Sequence, residues 1–107
     1  MDRKKAPREM MLRNLASSVI IYEKVKTTEA KAKVVRSLVD KIVTIAKKDD
    51  LASKKRLIEI MPQPLAVRKA IEVLGKRYKD REGGYSRLVR IGSRQGDAAE
   101  IVQVELV

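Results

Sequence analysis

The residues from Lys24 to Lys48 restrict the fold of this chain more than any other stretch. At helical spacing, Val34, Val35, Leu38, Val39, Ile42, Val43, Ile45 and Ala46 fall on one half of a cylinder. Lys33, Arg36, Ser37, Asp40, Lys41, Thr44, Lys47 and Lys48 fall on the other half. The pattern predicts one amphipathic helix roughly 30 Å long, at ~1.5 Å rise per residue, enough to serve as the beam of a small domain. Thr27 or Thr28 is placed to cap it, Glu29 suits the positive end of the helix dipole, and Lys47-Lys48 suit the negative end.

Lys31 departs from the pattern. Its position points into the apolar arc within the first turn, where the dipole already favours anions. Lys24, Lys26 and Lys33 stand close by in sequence. Two readings stay open: a solvated basic face partly offset by Glu23 and Glu29, or a phosphate-binding helix start that accounts for all four lysines.

What packs against such a beam is limited by composition. The chain has 107 residues and is read as one globular domain (10–107) behind a basic N-terminal arm (1–9). There is no Phe or Trp, so the core has to come from Leu, Ile, Val and Met. Cysteine is absent, which excludes disulfides and thiolate metal sites. No apolar run is long enough for a bilayer and no signal-peptide pattern opens the chain, so the expected setting is cytoplasmic. Twenty-five Lys and Arg face fourteen Asp and Glu, for a net charge of +11, which points to a polyanionic partner. Nucleic acid fits better than a membrane surface, because every apolar stripe is needed for the core.

The remaining segments supply the elements around the beam. Residues 1–9 read as a flexible arm running into a helix that carries Met11, Leu12, Leu15, Ala16 and Val19 on one side. The β-branched run that follows predicts a short strand at Tyr22–Lys26. Asp49-Asp50 closes the beam and caps a third helix with Leu51, Leu57, Ile58 and Met61 inward, which stops at Pro62. Pro64 starts a fourth helix with Val67, Ala70, Ile71 and Leu74 inward, and Gly75 loosens or ends it. Tyr85–Ile91 and Ile101–Leu106 alternate as two strands of a hairpin. The fold class is therefore α+β: about four helices on one face of a small, mostly antiparallel two- or three-stranded sheet.

Catalytic chemistry has little to work with. Histidine and cysteine are both absent, which removes the commonest general base, the thiol nucleophile and the usual transition-metal ligands. The Gly92–Gly96 loop lacks the Lys-Ser/Thr ending of a P-loop. The chain is read as a non-enzyme with no cofactor, no metal and no small-molecule substrate. Binding residues are easier to name: Arg3, Lys4, Lys5 and Arg8 in the arm, and Arg87, Arg90 and Arg94 on the hairpin. Tyr85 either stacks on a base or covers the edge of the core. Lys76, Arg77, Lys79 and Arg81 form a further basic cluster, read equally as a binding patch or as a solvated linker.

Several blocks together carry a resemblance. Met11-Leu12-Arg13-Asn14-Leu15-Ala16, Lys26-Thr27-Thr28-Glu29-Ala30-Lys31-Ala32-Lys33, Gly83-Gly84-Tyr85-Ser86-Arg87, Gly96-Asp97-Ala98-Ala99 and Glu105-Leu106-Val107 occur in the order and spacing of a known family. Over about residues 8–107 the chain resembles the bacterial large-subunit ribosomal protein numbered seventeen. The resemblance implies an α+β domain in the ribosome that binds large-subunit ribosomal RNA and neighbouring ribosomal proteins. It also implies RNA contacts at Arg13, Asn14, Thr27, Thr28, Lys31, Lys33, Tyr85, Arg87 and Arg94. The family's arm is usually longer, and Pro7 stands where a histidine is common, which leaves open a start upstream of Met1. The alternative is a small DNA-binding regulator using the helices between Asp50 and Gly75 as a helix-turn-helix, with Arg68 and Lys69 as base readers.

Overall fold

The computed structural model describes residues 5–93, 96 and 100–107, with side chains from residue 8 onward. Four helical rods lie on one face of a three-stranded antiparallel sheet. The first helix, α1 (Lys5–Tyr22), leads directly into strand β1 (Lys24–Thr28), and the beam helix α2 (Glu29–Ala46) follows without a loop. After α3 (Leu51–Ile60), the fourth rod begins as α4 (Pro64–Lys69), widens into a π-helical stretch at Ala70–Leu74 and closes as α5 (Gly75–Arg77). Strands β2 (Ser86–Ser93) and β3 (Glu100–Leu106) complete the sheet, whose order is β1-β3-β2.

The beam behaves as its periodicity requires, over a narrower arc. Ala32, Val35, Val39, Ile42, Val43 and Ala46 are buried, and Leu38 packs partly against them. Val34, expected inside, is exposed, and so is Lys31. Both lie on one flank of the early turns, and Val34 lines an open groove with Leu12 and Arg13 of α1. Thr28 is the N-cap residue but its side chain makes no capping bond, whereas Asp50 caps α3 as expected, accepting from the Ser53 N–H at 2.7 Å.

Four local expectations are corrected. Helix α1 starts at Lys5, so residues 5–9 belong to it rather than to the arm, and its Met11 is exposed. The helix also runs on to Tyr22, displacing the start of β1 to Lys24, because Val19 and Ile20 gain full burial as helical residues. In α3, Leu57 and Met61 are buried but Leu51 and Ile58 face solvent. Gly75 does not end its helix: a Cβ there would stand 3.0 Å from the Ala46 carbonyl oxygen, so glycine lets the fourth rod touch the end of α2.

Sheet register decides which residues look outward. Val102, Val104 and Leu106 of β3 are buried on the helix side, opposite Thr27 and Val25 of β1 and Arg90, Leu88 and Ser86 of β2. Lys24, Lys26 and Thr28 therefore share the other face with Ile101, Gln103 and Glu105, and with Arg87 and Val89 of β2. Within the described residues, no helix covers that face. At Arg90–Gly92 the register shifts by a bulge, and Gly92 takes φ 144°, a value that favours glycine.

Candidate nucleic-acid interface

The open sheet face is basic because alternation puts lysine at every second position of β1. Lys24, Glu105 and Arg87 form one row across the three strands, and Lys26, Gln103 and Val89 form the next. Arg87 Nε donates to Glu105 Oε1 at 2.6 Å, and Gln103 Nε2 donates to Oε2 of the same carboxylate at 2.9 Å. Hydrogen bonding from Arg87, then from Gln103, holds the Glu105 carboxyl below the usual carboxylate range. Lys24 and Lys26 have no ion pair among the described residues. Their ammonium groups remain available to a ligand.

At the start of α2 the four-lysine cluster divides. Lys24 and Lys26 stand on the sheet, whereas Lys31 and Lys33 stand on the helix. Glu29 occupies the helix start with its own carboxylate, 3.5 Å from Lys33 and 3.7 Å from Arg90, and Arg90 also reaches Glu100 at 3.9 Å. The anion that this dipole favours is thus supplied in part by the chain itself. Lys31 alone of these helix-start cations is exposed and without an ion pair among the described residues.

Other candidates are placed as follows. Arg8 and Asn14 are exposed on α1, and Arg13 is half-buried there. Thr27 points to the helix side of the sheet and Thr28 to the open side. Arg3, Lys4 and Arg94 lie outside the described residues, as does the side chain of Lys5.

Tyr85 is corrected. Its ring is 2% exposed, packed 5.2 Å from the Tyr78 ring, and its hydroxyl bonds to the Arg81 carbonyl and to Lys47 Nζ. A ring enclosed in this way has no free face for a base. The aromatic side chain that is exposed is Tyr22, at 70%, two residues before Lys24. Sequence reasoning passes it over because it sits inside an apolar run. An aromatic flanked by glutamate and lysine at the end of an apolar stripe is the available signal.

Some of the basic residues turn out to be structural. Glu23 joins α1 to β1 with φ 67°, a left-handed conformation that costs a non-glycine residue about 1–2 kcal/mol. Its carboxylate is gripped by Arg77 through two bonds of 2.6 and 3.0 Å and by Lys69 at 3.1 Å, while Lys69 also donates to the Ile21 carbonyl at 2.8 Å. Hydrogen bonding from Arg77, opposed by burial and helped by Lys69, lowers the Glu23 pKa from 4.5 to about 2. Arg77 leaves the basic cluster at 76–81 for this reason, while Lys76 and Lys79 stay exposed. The helix-turn-helix alternative loses one of its two reading side chains by the same geometry, since Lys69 is tied to Glu23, while Arg68 makes only an exposed pair with Glu72 at 3.3 Å.

Comparisons with known proteins identify the family. Residues 11–107 match the family model described as ribosomal protein L17. The chain is 47% identical over 100 residues to the large ribosomal subunit protein bL17 of Desulforudis audaxviator, covering 94% of this chain and 89% of that protein. It is 45% identical to bL17 of Desulforamulus reducens over the same shares, and 45% identical over 107 residues to bL17 of Solibacter usitatus, covering 100% and 71%. A family match across nearly all of the chain, on a helix-backed sheet with a basic open face, means that the chain belongs to the ribosomal protein L17 family.

Proposed function

We propose that this protein is a structural constituent of the large ribosomal subunit in the cytoplasm, binding ribosomal RNA and lying against neighbouring ribosomal proteins. The observation that carries the RNA reading is the open sheet face, where Lys24 and Lys26 stand without ion pairs among the described residues, in a chain of net charge +11. Basic side chains there neutralise phosphates, and the rigid sheet fixes their spacing, so recognition follows backbone shape rather than base sequence. Lys31 on α2, Arg8, Arg13 and Asn14 on α1, and the basic residues of the arm extend the contact. Tyr22 offers the exposed ring that Tyr85 does not.

Two measurements test this. The protein should co-sediment with large ribosomal subunits at high salt. Its affinity for large-subunit ribosomal RNA should fall with salt at a slope of roughly −4 to −5 in log K against log[salt], if about six phosphates are neutralised. A slope near zero, or release from the subunit into the free fraction, would remove the reading.

A further inference from the structure

A second cationic surface lies away from the sheet, in the groove between α2 and α3. Its volume is about 740 Å³, and its walls carry Lys41 from α2, Lys48 from the turn after it, and Lys55 and Arg56 from α3. All four are exposed, and none has an ion pair among the described residues. Two carboxylates, Asp50 and Glu59, line the same groove. Asp50 is committed to capping α3, with its oxygen turned to the Ser53 amide. The Asp50 carboxylate keeps its charge while it caps α3, so the groove holds four cations against two acids. Lys41 lies on the solvent side of the beam, and Lys48 lies in the turn just beyond its end.

This pattern, shared with Lys24, Lys26 and Lys31, differs from that of the cations that the chain pairs with its own acids. Lys33, Lys69, Arg77, Arg87 and Arg90 all meet carboxylates of the chain. Like charges left together in a concave site destabilise the free protein, and such a cleft focuses its field on an anionic partner. Groove lining by four long side chains on two helices and the turn between them suits a row of phosphates, because each ammonium or guanidinium reaches a separate oxygen. The groove shares no strand with the open sheet face.

We propose that the α2–α3 groove is a second RNA-backbone site, so that the protein holds two segments of RNA, one on the sheet and one between the helices. The proposal rests on the RNA-binding reading above and adds a separate surface to it. The beam is then a spacer whose apolar side packs on the sheet and whose polar side meets the second segment.

Salt slopes on large-subunit ribosomal RNA test the two surfaces separately. One variant carries Lys41→Gln, Lys48→Gln, Lys55→Gln and Arg56→Gln. A second carries Lys24→Gln, Lys26→Gln and Arg87→Gln. A control loses the same charge as the first through Lys54→Gln, Arg68→Gln, Lys76→Gln and Lys79→Gln. All the substituted residues are exposed, so circular dichroism should show each variant folded. The groove variant should flatten the slope by about 3, at ~0.7–0.9 for each phosphate that is no longer neutralised, while the control changes it far less. An unchanged slope in the groove variant beside a flattened one in the sheet variant would overturn the second site and leave the sheet reading standing. Equal flattening in the groove variant and the control would also overturn it, since net charge alone would then account for the loss. No change in any variant would overturn both readings.

Discussion

The seam where the fourth rod meets the start of β1 and the open face of the sheet are both rich in lysine and arginine, yet their cations do opposite things. In the seam, Lys69 and Arg77 close on Glu23, and nearby Lys47 bonds the Tyr85 hydroxyl and the Arg81 carbonyl. These side chains hold the fold. On the sheet, Lys24 and Lys26 touch no carboxylate within ion-pair distance among the described residues. A surplus of +11 is thus a mixture, and only the unsatisfied part of it is available to a ligand. Position decides which part a given lysine joins. Cations that converge on a strained or buried element are consumed by it, and those on an unbacked face are not.

The sharpest way to break this contrast is Tyr85→Ala. Removing a ring that is 2% exposed and supports both Tyr78 and Lys47 should destabilise the fold by about 3–5 kcal/mol in chemical denaturation. The folded fraction should bind RNA as tightly as before. Weakened binding at full foldedness would place the ring at the interface after all.

A smaller effect is expected for Glu23→Gln, about 1 kcal/mol, because the clamp is partly exposed and solvent screens it. Its pH dependence identifies it. The folded-state pKa near 2 lies below the ordinary 4.5, so the clamp contributes fully above about pH 5 and loses its contribution as pH falls towards 2. The stability gap between wild type and Glu23→Gln should close over that window. A gap that stays constant with pH would mean that ionisation of Glu23 is irrelevant to the seam.

The smallest stability change belongs to the sheet. Lys24→Gln with Lys26→Gln and Arg87→Gln should leave the melting temperature within a degree or two, since only the exposed Arg87–Glu105 pair is lost. Binding should weaken and its salt slope should flatten by about 2. A large drop in melting temperature would put these residues in the architectural class.

Much of this architecture is legible in the residues. The period of α2, the Asp50 cap and the alternation of β3 each follow from local chemistry, and the structure bears them out. What local chemistry does not reveal is contact between distant segments. Tyr85 is buried because Tyr78 and Lys47 come to it. Gly75 is a contact point because Ala46 comes to it. Val34 and Lys31 sit where the periodicity is sound but the packing leaves them exposed. Arg77 and Lys76 are adjacent in sequence and alike in type, and only the fold separates a clamp from a solvated charge. The candidate interface is legible as a set of residue types. Its division into paired and unpaired cations is not.

The strand order β1-β3-β2 has a consequence for biosynthesis. The central strand is the last of the three to be made, and β1 pairs with it across the register Lys24↔Glu105 to Thr28↔Ile101. While a ribosome is still translating β2, neither completed strand has its neighbour, and the row Lys24–Glu105–Arg87 has no middle member. The helices can gather early, because α1 and α2 lie close in the chain. The basic sheet face comes into being only with residues 100–106. A nascent chain therefore gains this basic sheet face only once β3 has been made, and holds no preformed sheet before then.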